Sequence, residues 1–565
     1  VIIVFATVLV SSIFYGINKF NQKENYIEAS SKNSEETNCL LDINNYKGVR
    51  SILDDKNNKE NKEDEETKSN YKYVTWNLQS LYPSDEAWEK ELSKFEKDIS
   101  ELDNYTGKVT KSKTHFISAL KIKEKLDIKL EKLYAYAKLN KDINKNSYKY
   151  LDMINKIGTV DSKYSRICSD LELEILKLPD STYNEYLKSK KVNKRYKMYL
   201  EEIRKSKEHY LDEKSEDIIN KMGNIVSLPS NVYDLFTNMD KNSEDTPSEY
   251  SSKIRSSDRN TRKTAFTNEF VIYNDNINTL SGLLVGQANK NIFFSNVRNY
   301  NSSLEMYLEG DEVDTKIYNN LIDTVGKNSE SLHKYISLRK KLLNIDKVHY
   351  YDMFAPIVEE QNSEISYDKA ISLAYAALGP LGDQYEDIAY KAFNERWVDV
   401  YSNENKVGGG YCLSVYANHP YILLNYDNSL DSVSTLVHEL GHGVYSYLSQ
   451  KNQKYYNAQP SIFTHEVAST TNEALLYEFL IKNAGNDKQK AYYITQYMDF
   501  IKDTLYTQTM YAEFERDVHN MLENNENVNT LVLNDLWSQL LKKYYGKDFE
   551  VDPLAMIGWS RIPHF

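Results

Sequence analysis

Apolar residues recur at spacings of three and four along most of the chain beyond residue 73. In the stretch after Pro83 these positions are Trp88, Leu92, Phe95, Ile99 and Leu102, which would form the single apolar face of an amphipathic helix. Comparable stripes continue over 116–133, 167–176, 183–222, 262–280 and 321–343. No unit of about 20–50 residues repeats at a fixed period, so the chain is not a solenoid. The pattern predicts a mainly α-helical fold.

Two short runs, 396–400 and 421–426, are β-prone instead. Between them lies Gly408-Gly-Gly410, which would let the backbone approach a ligand closely. No helix follows these glycines in the register of a phosphate-binding loop, so a nucleotide site is disfavoured. We therefore expect a small β element in which the glycines form a mobile loop beside an active site, with 421–426 available as an edge strand for an extended substrate.

The first 70 residues differ in kind from the rest of the chain. Residues 1–17 form an uncharged apolar run, so we interpret 1–20 as a signal or anchor segment that could associate with a membrane. The alternative is a buried core helix. Residues 21–70 are rich in Asn, Ser, Lys and Glu and predict a disordered tether. An anchor would make the protein extracytoplasmic, either membrane-anchored or secreted, and a cytoplasmic location is the alternative.

Charge and cysteine usage narrow the classes of function. The 565 residues carry 70 basic and 83 acidic side chains, a net charge of −13 that repels phosphate backbones and argues against nucleic acid as a partner. The three cysteines, Cys39, Cys168 and Cys412, lie far apart without a C-x-x-C pair. Neither a disulfide framework nor a cysteine zinc site is expected. Any metal site must therefore rest on histidine and carboxylate.

One motif carries chemistry, His438-Glu-Leu-Gly-His442, in a predicted helix with Asp431 as its N-cap. The i, i+4 spacing places both imidazoles on one helical face, where they can hold a single zinc ion. Glu439 can then reach a water on that metal. The alternative is a helix with two surface histidines. It is disfavoured because a chance occurrence of H-E-x-x-H in a chain of this composition has a probability of roughly 1–2%.

A catalytic zinc needs a third protein ligand, and no third histidine follows His442 at the spacing of the longer H-E-x-x-H motifs. Glu466 lies 24 residues further along, in a second predicted helix. A chain reversal and an antiparallel helix would return it to the metal. Glu473 lies two turns beyond on the same face and could orient a ligand, although a solvated charge is an equal alternative. His465 points off that face and receives no role.

These motifs resemble the oligoendopeptidase F group of the thimet-oligopeptidase-like zinc peptidases. The likeness rests first on His438-Glu-Leu-Gly-His442 followed by Glu466-Val-Ala-Ser-Thr-Thr-Asn-Glu473. Further matches are Trp76-Asn-Leu-Gln-Ser-Leu-Tyr82, Tyr351-Asp352, Arg396-Trp-Val-Asp-Val400, Pro420-Tyr-Ile-Leu423 and Trp559-Ser-Arg-Ile-Pro-His-Phe565. The resemblance spans about residues 73–565.

The resemblance implies a two-lobed, multi-helical peptidase with a deep central channel. Its N-terminal helical lobe would cover 71–235, and its zinc peptidase domain 236–565. By the same resemblance His438, His442 and Glu466 bind one Zn²⁺ per chain, and Glu439 is the general base. The implied reaction is hydrolysis of internal bonds in short unfolded oligopeptides. The alternatives are a zinc carboxypeptidase and a non-catalytic peptide-binding homologue.

The C-terminal end of the chain also matches the family, with one departure. His564 resembles a family histidine that contacts the substrate near the scissile bond, so it is a second expected catalytic residue. In the family pattern a tyrosine-rich segment follows this position, whereas the chain stops at Phe565. We therefore expect a C-terminal truncation. The sequence leaves the oligomeric state open.

Overall fold

The structure is a computed structural model that describes residues 74–241, 243–245, 247–358, 364–459 and 461–565. The predicted signal or anchor segment and the whole predicted tether lie outside the described residues, so both interpretations stay predictions. Within the ranges, no helix combines the length and the apolar character needed to cross a membrane.

Helices dominate the described residues, which confirms the predicted mainly α-helical class. The first half contains α1 Asp85–Asp103, α2 Lys113–Ile143, α3 Tyr148–Leu176, α4 Asp180–Leu187, α5 Lys190–Lys205, α6 Glu213–Lys221, α7 Gly223–Val226, α8 Leu228–Leu235, α9 Pro247–Ile254, α10 Arg259–Asp275, α11 Ile277–Val297, α12 Ser303–Glu309, α13 Thr315–Lys327 and α14 Glu330–Leu343. The remainder contains α15 Tyr367–Leu378, α16 Asp383–Asn394, β1 Val398–Tyr401, β2 Tyr411–Leu413, β3 Tyr421–Tyr426, α17 Leu430–Asn452, α18 Ile462–Lys482, α19 Asp487–Ile501, α20 Gln508–Glu523 and α21 Thr530–Tyr545. Short π-helical turns cover Phe236–Asp240 and Lys502–Thr507.

The described residues divide into two compact units whose segments alternate along the chain. Unit 1 comprises 74–207 and 364–485, with α1–α5, α15–α18 and the three strands. Unit 2 comprises 208–358 and 486–565, with α6–α14 and α19–α21. The domain boundary expected near residue 235 stays a prediction. It separates the two lobes that the resemblance implies, whereas the two units of the structure are defined by how compactly their residues pack.

Helix α1 illustrates how the apolar stripe forms the helical part of unit 1. The Ser84 hydroxyl caps the helix by accepting a hydrogen bond from the Ala87 N–H. The five predicted positions from Trp88 to Leu102 are all buried. The indole N–H of Trp88 donates to the Leu133 carbonyl of α2 at 2.9 Å, so the largest buried side chain of the stripe also has its polar atom paired.

The small β element is a three-stranded sheet in the order β1-β3-β2. Strand β3 runs parallel to β1 and antiparallel to β2. The expectation that 421–426 is an edge strand is wrong, because both of its sides are paired. The edge beside it is β2, only three residues long, which directly follows the glycine loop. Behind the sheet lies α17, where Gly443 approaches Ile422 of β3 and Cys412 of β2.

Unit 2 has its own aromatic core and a buried ionic cluster. Phe270, Phe514, Trp537, Tyr544 and Trp559 are at most 2% exposed and belong to one hydrophobic cluster. The fully buried Asp352 accepts hydrogen bonds from the guanidinium groups of Arg259 and Arg262 at 2.8–3.0 Å. A buried carboxylate requires such paired donors to offset its desolvation.

Candidate metal centre

The motif helix α17 carries both histidines on its partly buried face. It begins after Ser429, whose hydroxyl accepts a hydrogen bond from the Ser432 N–H. Asp431, the predicted N-cap, lies instead in the first turn, where its negative charge interacts favourably with the positive end of the helix dipole. His438 and His442 stand one turn apart with ring centroids 4.8 Å from each other and ring planes nearly perpendicular. The two rings thus converge without stacking.

Helix α18 crosses α17 so closely that only glycine fits at the contact. A Cβ placed on Gly441 would lie 2.7 Å from Ser469 Cα and 2.8 Å from the Ala468 carbonyl oxygen. Asn472 holds the same crossing, because its side-chain amide donates to the Val437 carbonyl at 2.7 Å. The predicted reversal and second helix are therefore present, and they bring Glu466 to the histidines.

The distances among the three predicted ligands suit a tetrahedral metal. Glu466 Oε2 lies 3.5 Å from His438 Nε2, and Glu466 Oε1 lies 3.7 Å from His442 Nε2. One ligand atom from each of the three residues falls within 4.8 Å of the others. Tetrahedral zinc with ligand bonds of about 2.0–2.1 Å separates its ligand atoms by about 3.3–3.4 Å. Two of the separations are therefore close to this spacing, and the three residues could together hold a metal ion.

Glu439, next to His438 in the chain, has a buried side-chain atom without a partner among the described residues. Its side chain is buried, and its Oε2 accepts no hydrogen bond from the described residues. Burial raises the pKa of Glu439 to about 7; the neighbouring His438 opposes this effect, and Glu466 and Glu473 add to it. A buried carboxylate oxygen without a partner requires a polar occupant such as water or a cation. This orphaned atom fits a site built to act on a water beside a metal.

Glu473 is placed to orient His438. Its Oε2 accepts a hydrogen bond from His438 Nδ1 at 2.7 Å, and its Oε1 accepts one from the Ser434 hydroxyl at 2.9 Å. When Nε2 binds a metal, this bond holds the remaining ring proton on Nδ1 and fixes the direction of Nε2. Burial lowers the pKa of His438, but the Glu473 hydrogen bond and the nearby carboxylates outweigh burial and raise it to about 9. Of the two alternatives for Glu473, the orienting contact is the one present.

Sequence reasoning missed two groups at the site. Ser469 is fully buried, and its hydroxyl donates to Glu466 Oε2 at 2.8 Å. His465, which received no role, lies with Nδ1 only 2.7 Å from Nδ1 of His442. Helical periodicity compares positions on one helix, whereas His465 of α18 contacts the Nδ1 edge of the His442 ring on α17. The run of hydroxyl residues Ser469-Thr-Thr471, one turn after Glu466, was the feature of the sequence that could have indicated a hydrogen-bond donor to Glu466.

His564 belongs to unit 2 and not to the unit that holds the metal cluster. It is exposed and lines a cavity of about 260 Å³ together with Tyr233, Leu283 and Trp559. Its expected contact with substrate stays a prediction.

Comparison with known proteins gives the family. The family model described as Peptidase family M3 matches residues 253–562, and the one described as Oligopeptidase F matches 174–241. The chain belongs to peptidase family M3. Oligopeptidase PepF of Bacillus subtilis is 34% identical to this M3 peptidase over 502 residues, which are 87% of this chain and 75% of that protein. Group B oligopeptidase PepB of Streptococcus agalactiae is 30% identical over 501 residues, covering 87% and 83%.

Solved structures agree with this membership. The crystal structure of oligoendopeptidase-F from Enterococcus faecium superposes with a TM-score of 0.66 at 27% identity, covering 85% of this M3 peptidase and 83% of that chain. The predicted resemblance to oligoendopeptidase F is confirmed. Since M3 is a family of metallopeptidases, the chain is a peptidase with a candidate metal centre at His438, His442 and Glu466.

Proposed function

We propose that this M3 peptidase is a zinc-dependent endopeptidase that hydrolyses internal bonds of short unfolded oligopeptides. The observation that carries the proposal is the convergence of His438, His442 and Glu466, with ligand atoms within 4.8 Å of one another, together with the unpaired Oε2 of Glu439. The donor set of two imidazoles and one carboxylate is typical of catalytic zinc, which keeps its fourth position open. The names of the relatives, oligopeptidase and oligoendopeptidase, support the substrate class.

The protein's own residues divide the chemistry between them. Bound Zn²⁺ would supply positive charge that polarises the scissile carbonyl and lowers the pKa of a water. Glu439 accepts the proton of the attacking water at its Oε2 and returns it to the leaving amide nitrogen. Glu473 and Ser469 hold His438 and Glu466 in the orientations that face the metal. The proton therefore passes from water to the leaving amine, and Glu439 is deprotonated again after each turnover.

Strand β2 is the element best suited to align a substrate. It pairs with β3 along one side, and within the described ranges no other strand of this sheet lies on its outer side. A Cβ on Gly410, the residue before β2, would lie 3.7 Å from Glu439 Oε1, so the strand starts next to the general base. An extended peptide added along this edge would bond through its main chain, which tolerates many side-chain sequences.

Replacing Glu439 tests the proposed role of the base. Glu439→Gln keeps both histidines and Glu466, so we expect normal metal content and a loss of at least about 10²–10³-fold in kcat on a quenched oligopeptide. His438→Ala is the matched control and should lose metal as well as activity. Zinc-loaded Glu439→Gln with wild-type kcat would overturn the assignment of the base.

The cleavage pattern decides between the endopeptidase and its alternatives. A peptide with an acetylated N-terminus and an amidated C-terminus has no free carboxylate for a carboxypeptidase to recognise. We expect internal cleavage of this peptide by the zinc-loaded protein, detected by mass spectrometry of the products. Cleavage of unblocked peptides alone, one residue at a time from the C-terminus, would support the carboxypeptidase. Tight peptide binding without any product would support the non-catalytic homologue.

A further inference from the structure

His442 and His465 meet on the side of the His442 ring opposite its predicted metal-binding atom. The two Nδ1 atoms lie 2.7 Å apart, and the ring centroids are separated by 4.5 Å. On the other edge of His465, Nε2 lies 2.9 Å from the hydroxyl of Ser446, a residue that is only 1% exposed. The three side chains form one hydrogen-bonded chain that runs from α17 to α18 and back to α17.

The position of each proton in this chain follows from the ligand geometry. His442 Nε2 faces Glu466 and must be unprotonated to bind a metal, so the ring proton lies on Nδ1. That N–H needs an acceptor: Nδ1 of His465 lies 2.7 Å away, and the backbone of His465 is a second hydrogen-bonding partner of the ring. His465 must then carry its own proton on Nε2, which donates to the Ser446 hydroxyl. The chain has a single consistent direction, from His442 through His465 to Ser446.

We propose that His465 is a positioning residue for the metal ligand His442. By accepting the Nδ1 proton, His465 fixes both the tautomer and the rotation of the His442 ring, which keeps Nε2 directed at the metal position. Tyr445 supports the orientation of His465, because its ring meets the His465 ring edge to face at 5.4 Å. The inference rests on the proposed metal site and adds a residue that holds the site from outside the ligand set.

Two amide substitutions separate the hydrogen-bonding role of His465 from its role in packing. The Asn side chain places its carbonyl oxygen at the position of His Nδ1, so His465→Asn keeps an acceptor for His442. The Gln side chain places its amide at the position of His Nε2, so His465→Gln keeps a polar group near Ser446 but removes the side-chain acceptor of the His442 N–H. His465→Leu removes both. His419→Asn, at a half-buried histidine of unit 1 that hydrogen-bonds the Pro420 carbonyl, is the control.

The measurement is the zinc dissociation constant of the full chain, obtained by competition with a chromogenic chelator. We expect His465→Leu and His465→Gln to bind zinc about 10–100-fold more weakly than wild type, and His465→Asn and His419→Asn to stay within about threefold of it. The visible absorption of the Co²⁺-loaded proteins should change in the Leu and Gln variants and be retained in the Asn variant. Melting curves of the metal-free variants show whether each one is folded.

The outcomes separate this inference from the proposed function. Wild-type affinity in His465→Leu, or an equal loss in His465→Asn and His465→Leu, would overturn the role of His465 while the metal site stands. Absence of stoichiometric zinc binding by the wild type would overturn the metal site itself. Restoration of affinity by Asn but not by Gln would support an acceptor at the Nδ1 position, since both amides are polar and similar in volume.

Discussion

Alanine at Gly441 should separate the two helices that carry the metal ligands. The added Cβ would lie 2.7 Å from Ser469 Cα, and ordinary contact begins at 3.4 Å, so α17 and α18 must move apart locally by about 0.7 Å. The obstructing atoms belong to the backbone of α18 and cannot rotate away. Metal-ligand distances tolerate changes of about 0.2 Å, so this movement takes Glu466 out of bonding range of a metal held by the histidines.

The size of the effect follows from two opposing terms. Overpacking costs about 1–3 kcal/mol, whereas replacing a helical glycine by alanine contributes about 1 kcal/mol of stability. We therefore expect Gly441→Ala to lower the free energy of unfolding by up to about 2 kcal/mol and to weaken zinc binding by at least about 10–100-fold. Urea denaturation of the metal-free protein and chelator competition measure the two quantities.

Gly443 provides a matched control on the same helix. A Cβ there would meet the Ile422 Cδ1 at 3.5 Å and the Cys412 Sγ at 3.8 Å, both ordinary contacts with side-chain atoms. Gly443→Ala should therefore gain about 0.5–1 kcal/mol from reduced backbone entropy of the unfolded chain and bind zinc normally. If Gly441→Ala binds zinc as tightly as Gly443→Ala and is equally stable, the close helix crossing does not set the ligand geometry.

Three further predictions concern other parts of the chain. Glu473→Leu leaves the Nδ1 proton of His438 without its carboxylate, so zinc affinity in a chelator competition should fall about 10–100-fold, and a fall of less than twofold would contradict this. Burial raises the pKa of Glu515 from 4.5 to about 7, so the folded state keeps a proton that the unfolded state has lost, and stability falls as the pH rises across this window. The free energy of unfolding of Glu515→Gln, measured with urea, should therefore rise relative to that of wild type by about 1–3 kcal/mol between pH 5 and pH 8. A difference between the two proteins that does not change with pH would refute the raised pKa. Lys406→Met strands the buried Asp399 carboxylate that its ammonium group contacts at 2.6 Å, so unfolding should become easier by about 3–5 kcal/mol, and Asp399→Leu added to it should recover most of the loss.

The helical class and the ligand cluster were predictable because both depend on local spacing. A stripe with a period of 3.6 residues identifies a helix wherever the chain places it, and the i, i+4 pair of His438 and His442 is fixed by helix geometry alone. Glu466 needed one additional assumption, an antiparallel return of the next helix. The structure contains that return, and α18 crosses α17 at Gly441. The close crossing explains why this position of the motif is a glycine, which the H-E-x-x-H pattern alone does not specify.

The strand order and the contact of His465 were not predictable by the same means. Strand β2 has three residues, too few for a periodic signal, and without it β3 looks like an edge. His465 was set aside because it lies off the face of Glu466, yet the rear of the His442 ring lies within its reach. Both depend on which elements become neighbours in space, and spacing along the chain does not contain that information.

The two proposed histidine ligands hydrogen-bond to partners of different charge, a carboxylate for His438 and an imidazole for His442, and the number of carboxylates at the site gives a reason for this difference. Glu466, Glu439 and Glu473 already bring three acidic groups to one cluster, and their mutual repulsion contributes to the raised pKa of Glu439. A fourth carboxylate behind His442 would fix the ring equally well but would add a buried negative charge beside the others. The ring of His465 accepts the hydrogen bond of the same N–H without that cost, and its own Nε2–H donates to the Ser446 hydroxyl. The site thus holds both imidazoles in defined tautomers while limiting its negative charge to the groups that face or orient the metal position.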